Sequence, residues 1–280
     1  MINFIRGYYL RLKPNYKRKA RKLYELYLHL SSTIFWIPRN IISVYSFIRY
    51  KNALVEDLDI FERKIYSQNG EDGIIQSIFN RIGTTNKYCV EFGVEDGTEC
   101  NTRYLISCKK WKALQMDSGE YLPPSVKKEF VTASNINFLF QKYSVPIEFD
   151  LLSIDVDSHD YWIWKALKSY SPRVVIVEYN AAIPLTESIV LNPNLNIQNI
   201  YPESFGCGLL PLEKLGKEKG YTLIACDNRG VNSFFVRDDL LKDRFILNNL
   251  AKVYRPPRYG HKIGGKYVGN APNLKAMVEV

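Results

Sequence analysis

The densest chemistry in this chain lies in one stretch, Phe149-Asp150-Leu151-Leu152-Ser153-Ile154-Asp155-Val156-Asp157-Ser158-His159-Asp160-Tyr161. An apolar run ends in Asp155 and Asp157, His159 and Asp160 follow, and a helix is predicted to begin near Tyr161. A second apolar run, Val174-Val175-Ile176-Val177, ends in Glu178, with Asn180 just beyond. In an open parallel sheet, ligands sit at the carboxyl ends of the strands, so both runs would deliver these groups to one edge. His159 is the one histidine in such company, and its titration range suits a general base near neutral pH. Clusters of titratable groups mark functional sites. Asp157 or Asp160 capping the following helix is the plainer use of the same residues.

The elements that would position this cluster start further upstream. Ser67-Gln68-Asn69-Gly70-Glu71-Asp72-Gly73 is turn-rich, and Ile74, Ile75, Ile78, Phe79 and Ile82 then repeat at helical spacing up to Gly83. Tyr88-Cys89-Val90-Glu91-Phe92 reads as a buried strand running into Gly93-Val94-Glu95-Asp96-Gly97, with a helix following through Tyr104–Cys108. Strand, glycine turn and helix open a nucleotide-binding α/β fold. The spacing is GxxxG rather than GxGxxG, and Glu91, Glu95 and Asp96 would repel a pyrophosphate. They favour a cationic ligand, such as the sulfonium and amino groups of S-adenosylmethionine. An NAD-dependent oxidoreductase is disfavoured for the same reason.

Ala113–Asp117 reads as a second strand ending in an acid twenty positions after Gly97. A carboxylate there can accept from the ribose hydroxyls of an adenosine. A third short strand is expected at Phe130-Val131, with Ser134 and Asn135 at its end, where adenine contacts arise. Leu209–Lys219 is a predicted helix closed by Gly220, and Tyr221–Asp227 and Asn232–Arg237 are two strands joined by the turn Asn228-Arg229-Gly230. The basic, Pro- and Gly-rich stretch Lys252–Lys266 is expected to be a loose terminus rather than a loop over the substrate.

Charge is partitioned along the chain. Residues 1–55 hold eleven Lys/Arg against one acid, Glu25, while the remainder holds 27 against 28. The excess of positive charge is therefore confined to an N-terminal arm, and a nucleic-acid partner, which would call for basic residues across the folded face, is not expected. Leu23, Leu26, Tyr27 and Leu30 form a helical stripe in Tyr16–Leu30 behind Lys17, Arg18, Lys19, Arg21 and Lys22. The apolar stretch Thr33–Ile48 is broken by Pro38-Arg39-Asn40 into pieces too short to cross a bilayer. The arm suits either an anionic membrane surface, through residues 1–50, or packing of its apolar stripe on the body. The five cysteines are odd in number and form no CxxC pair, which argues against a structural zinc or disulfide framework. A cytoplasmic protein, peripheral on the inner face of a membrane, is the expectation. Three segments follow: an arm at 1–55, a catalytic body at 56–245 and a tail at 246–280.

Residues of about 62–240 resemble class I S-adenosylmethionine-dependent methyltransferases, particularly the FkbM-type group. The resemblance is carried by Ser67–Asp72, Glu91-Phe92-Gly93 with Gly97, Asn101-Thr102, Asp117, the Asp155–Asp160 cluster and Val177-Glu178. It implies a Rossmann-like fold: a mostly parallel seven-stranded sheet with an antiparallel last strand and helices on both faces. It implies cofactor contacts at Glu91, Gly93, Gly97 and Asp117, with Gln68 near the site. Such enzymes are commonly O-methyltransferases acting on sugars or secondary metabolites, which makes a carbohydrate or glycolipid precursor the expected acceptor. His159, with Asp155 and Asp157, would be the catalytic group. Asp155, Glu178 and Asn180 resemble the oxygen ligands of catechol-type methyltransferases, so a divalent metal such as magnesium is a variant. A non-catalytic scaffold with a degenerate pocket, in a membrane-associated glycan-assembly complex, is the alternative from another class.

Overall fold

A computed structural model describes residues 54, 55, 57–195 and 206–280. The arm read as an amphipathic helix lies outside the described residues. Seven strands form one sheet. Five of them, β1 (Tyr88–Phe92), β2 (Lys112–Asp117), β3 (Val126–Lys128), β4 (Glu148–Ile154) and β5 (Ser171–Glu178), run parallel. Two more, β7 (Tyr221–Cys226) and β8 (Asn232–Arg237), close the far side, with β8 antiparallel to both β5 and β7. The spatial order is β3-β2-β1-β4-β5-β8-β7. The order reverses between β1 and β4, which is where an open α/β sheet forms a ligand crevice. The architecture is mixed α/β and Rossmann-like.

Alternation along each strand divides the core. Val90, Phe92, Leu152, Ile154, Val175 and Val177 face one way. They are covered by α3 (Ile136–Lys142), α4 (Asp160–Ala166) and α5 (Leu209–Glu218). Cys89, Leu151, Val174 and Ile176 face the other way, under α1 (Glu71–Ile82) and α2 (Arg103–Lys109). Burial on both faces is why β4 and β5 read as continuous apolar runs rather than as alternating ones.

At the amino edge of the sheet a buried carboxylate and a buried guanidinium answer each other. Asp150, fully buried in β4, accepts from the backbone N–H of Thr85 at 2.9 Å and of Lys87 at 2.7 Å, and pairs with Arg173 of β5 at 2.9 Å. The same guanidinium donates to the carbonyls of Ile82 and Gly83, each at 2.8 Å. One ion pair thus ties the end of α1, the turn into β1 and two central strands together.

Two expectations need correction. The third strand is Val126–Lys128, not Phe130-Val131: pairing with β2 ends where the Glu129 N–H meets the Asp117 carbonyl, and the chain then turns away from the sheet. The helix read through Tyr104–Cys108 is present as α2, which begins at Arg103. The tail is anchored rather than loose. Its last strand β11 (Met277–Glu279) pairs with β6 (Ile189–Leu191), Tyr254 donates to the Ala181 carbonyl at 2.8 Å, and Arg255 is held by Asp57 at 3.0 Å and Asp59 at 2.8 Å. Among the described residues no helix is long and apolar enough to cross a membrane.

Removing one partner of a buried ion pair strands the other. Asp150→Ala is expected to lower unfolding free energy in urea by about 3–5 kcal/mol, and adding Arg173→Met should recover part of that loss. Full stability in Asp150→Ala would show that the amino edge does not depend on this pair.

Candidate functional site

The carboxyl ends of β1, β2, β4 and β5 open into a cavity of about 490 Å³. Ten of its lining residues are Asp or Glu and none is Lys or Arg. The loops that make it are fixed before any ligand arrives.

Gly93 takes φ +69, and a Cβ there would lie 1.5 Å from the Asp155 carbonyl oxygen, so only glycine lets the loops after β1 and β4 touch. Glu91, at the end of β1, is 3% exposed. It accepts from the N–H of Asn101 at 2.8 Å and of Thr102 at 3.1 Å, and from the Thr102 hydroxyl. Burial pushes its carboxyl up and the Thr102 bonds oppose the shift. Although it lines the cavity, its oxygens are already spent on ordering the loop into α2. Asp117 Oδ2 accepts from the Glu95 N–H at 2.8 Å and Oδ1 from the Gly119 N–H at 2.7 Å. A carboxylate has about four acceptor positions, so Asp117 retains capacity for a ligand. Gly97, at φ +74, closes a turn onto the Val94 carbonyl at 2.7 Å and does not line the cavity.

The Ser67–Asp72 turn owes its shape to one carboxylate. Asp72 Oδ2 accepts from the N–H of Ile65, Tyr66 and Ser67 at 2.7–2.9 Å, and Ser67 Oγ accepts in return from the Asp72 N–H at 3.1 Å. This holds Gln68 at the cavity wall. Glu71 accepts from the Asn69 N–H at 2.8 Å and from Asn232 Nδ2 at 3.0 Å. Asn232, which opens β8 opposite Glu178, lines the cavity and was missed in the sequence; its one signal is a polar residue heading an apolar strand.

The cluster after β4 and β5 is drawn together. One carboxylate oxygen from each of Asp155, Asp157 and Glu178 lies within 4.8 Å of the others, an arrangement able to hold a divalent cation. Burial raises Asp155 and Glu178 well above the carboxylate range, and each raises the other further. Asp157, at φ 60 on the cavity mouth, is raised by partial desolvation and by Asp117. Burial lowers His159 below the usual imidazole range, opposed by a hydrogen bond to the Asn192 backbone. Its Nε2 is buried without a hydrogen-bond partner. Glu178 Oε2 and Asn232 Oδ1 are likewise buried and unanswered. His159 precedes α4 without capping it by its side chain.

Besides Gly97, two expected residues do not join the site. Asn180 lies off the cavity: its Oδ1 accepts from the Ala182 N–H at 2.9 Å and its Nδ2 donates to the Asn270 carbonyl at 3.0 Å, so Asp157 takes its place in the acidic trio. Asn135 closes its own loop, accepting from Thr132 N–H at 2.8 Å and donating to the Phe130 carbonyl at 2.8 Å; Glu129, Phe130 and Val131 line the cavity there instead.

No family model and no curated protein matches this chain. Among solved structures, a Lactococcus lactis protein described as a putative hemolysin is similar at 14% identity and a TM-score of 0.40, over 68% of this chain and 97% of that one.

Asp160 gives a pH test. It is fully buried, accepts from the Val156 N–H at 2.8 Å, and burial pushes its carboxyl up from 3.8 to about 7. The unfolded chain ionises this group first, so its contribution to stability is present below about pH 4 and is lost as pH rises through about 7. With chelator present, Asp160→Asn should melt with a smaller decline between about pH 5 and about pH 8 than wild type. An unchanged decline would assign the pH dependence to other groups.

Proposed function

We propose that this chain is an S-adenosylmethionine-dependent O-methyltransferase of the class I, FkbM-type group, acting on a hydroxyl of a carbohydrate or glycolipid precursor. One observation carries the reading: a crevice at the sheet's reversal point lined by ten acids and by no Lys or Arg. Glu99 and Glu129 are paired with Lys64 and Lys142, but the close trio Asp155, Asp157 and Glu178 has no such counter-charge, and a ligand bearing sulfonium and ammonium groups would offset its repulsion. A pyrophosphate would add to the repulsion. The sheet order, with β8 reversed beside β5, supports the same fold assignment.

The residues present fit this cofactor. Asp117 at the end of β2 keeps acceptor capacity for ribose hydroxyls, and the Gly93 loop approaches without side-chain bulk. S-adenosylmethionine, when bound, supplies an electrophilic methyl group. His159, a residue of the cavity wall that burial holds below the usual imidazole range, takes the proton from the acceptor hydroxyl as its oxygen becomes nucleophilic. The walls around it hold the acceptor oxygen in line, where most of the rate of a displacement arises. Asp155, Asp157 and Glu178 would hold magnesium in the metal-assisted variant, and a bound cation there acidifies the hydroxyl. The buried, unanswered atoms of His159, Glu178 and Asn232 weigh against a degenerate scaffold, which has no reason to keep them. The basic arm, outside the described residues, brings the body to an anionic membrane surface.

Calorimetry on the full chain should record S-adenosylmethionine binding that NAD does not displace, weakened by roughly 1–3 kcal/mol in Asp117→Ala. Equal affinity in that variant would sink the pocket assignment. With an acceptor in hand, His159→Ala should lower turnover by roughly 10²–10⁴-fold at nearly unchanged cofactor affinity. If chelator abolishes turnover and Asp155→Ala and Glu178→Ala are the severe changes, the metal-assisted variant holds instead. The full chain should sediment with anionic vesicles and be released by salt; indifference to vesicles would make the arm a packing element.

A further inference from the structure

The charge missing from the cavity is concentrated beside it. Residues 244–278 carry seven Lys/Arg and no acid. This segment does not hang free: its backbone is packed against the turn that leads into the cavity wall. Gly230, at φ +76, has no room for a Cβ, which would lie 2.6 Å from the Arg255 carbonyl oxygen. The Arg258 N–H donates to the Arg229 carbonyl at 2.9 Å. Two residues after Arg229 the chain reaches Val231 and Asn232, both in the cavity wall. On the β5 side, Asn180 donates to the Asn270 carbonyl, and Gly269 is so close to Pro257 that a Cβ would lie 2.8 Å from it. Beyond these contacts the same segment forms a small hairpin, β9 (Lys262–Ile263) and β10 (Lys266–Tyr267), on which Lys262 lies over the Tyr267 ring.

The cations of this rim fall into two kinds. Arg255 is consumed by Asp57 and Asp59 and serves as a latch. Arg229, Arg258, Lys262 and Lys266 are exposed, and no ion pair or side-chain hydrogen bond answers their charges among the described residues. Arg229 and Arg258 are joined through their backbones, at the side of the cavity where Glu178 and Asn232 leave buried acceptors unanswered. An acid cavity with a basic rim sorts ligands by charge: cations go inside and anions stay at the edge.

We infer that Arg229 and Arg258, with Lys262 and Lys266 behind them, bind a phosphate or diphosphate group on the acceptor, so that the substrate class is a phosphorylated sugar rather than a neutral one. The inference rests on the methyltransferase reading for the word acceptor, and on the rim alone for the anion. Guanidinium groups suit phosphate because their paired N–H donors match its oxygens. The phosphate would stay at the rim, repelled by the carboxylates within, while the neutral hydroxyl it carries enters the cavity.

The experiment is calorimetry of the full chain with inorganic pyrophosphate, a nucleoside-diphosphate sugar, a polyprenyl diphosphate in neutral detergent, a neutral methyl glycoside, and an RNA oligonucleotide. Wild type should bind pyrophosphate and at least one of the two diphosphate conjugates, more weakly as salt rises, and not the neutral glycoside. Which conjugate binds tighter separates a nucleotide source from a lipid source. The exposed double variant Arg229→Gln/Arg258→Gln should lose at least about tenfold in pyrophosphate affinity. Lys275→Gln, a charge removed elsewhere on the same segment, should lose nothing. The inference is overturned if wild type ignores pyrophosphate, if all three proteins bind it equally, or if RNA binds more tightly than every diphosphate. S-adenosylmethionine is titrated into the same samples. Its failure to bind while pyrophosphate binding survives in wild type would remove the methyltransferase reading and leave the anion site standing.

Discussion

Carboxyl groups crowded into a desolvated space repel one another, and this repulsion governs the carboxyl edge of the sheet. Asp155 and Glu178 leave adjacent strands with oxygens within 4.8 Å, and burial together with mutual repulsion holds both well above the carboxylate range. Such a pair exists only with a proton, a cation or both between its members. Everything near it is arranged to keep the pair in place rather than to neutralise it. The Asp155 backbone is pinned against Gly93, Asp160 draws its fixed bond from Val156 rather than from a base, and no Lys or Arg enters the cavity.

The opposite end of the same two strands shows that the chain can neutralise a buried carboxylate when structure alone is at stake. Asp150 and Arg173 sit on β4 and β5 as Asp155 and Glu178 do, yet there the charge is matched by a guanidinium and a fan of N–H donors. Satisfied polar groups rigidify one edge, while His159, Glu178 and Asn232 leave buried atoms unanswered at the other. Fold and site therefore share strands while bearing opposite electrostatic character, and the strain is tolerated because the amino edge is stapled.

Much of this was legible in the residues because the decisive signals are local. Buried parallel strands write themselves as apolar runs, which is why β1, β4 and β5 were readable to within a few residues, and an acid at the end of such a run must emerge at the edge. The side chains misread are polar residues whose partners, near or far in sequence, the sequence does not reveal. Asn135 and Asn180 look like ligand-binding residues until their loops are seen to consume both ends of the amide. Asn232 looks like a strand start until Glu71, 161 positions away, is found to hold it. The tail looks loose by composition because Pro, Gly and Lys mark loops, and nothing in Arg255 itself reveals the two acids nearly 200 positions upstream that fix it.

That latch also relates two parts of the chain that the composition sets apart. Asp57 and Asp59 stand where the basic arm joins the body, and Arg255 stands where the basic rim begins. The junction of the arm is thus fixed to the base of the rim through two short ion pairs, one of them with a nearly fully buried partner. Largely buried pairs of this geometry are costly to break one partner at a time, so the segment that begins the body and the segment that begins the rim are held to each other.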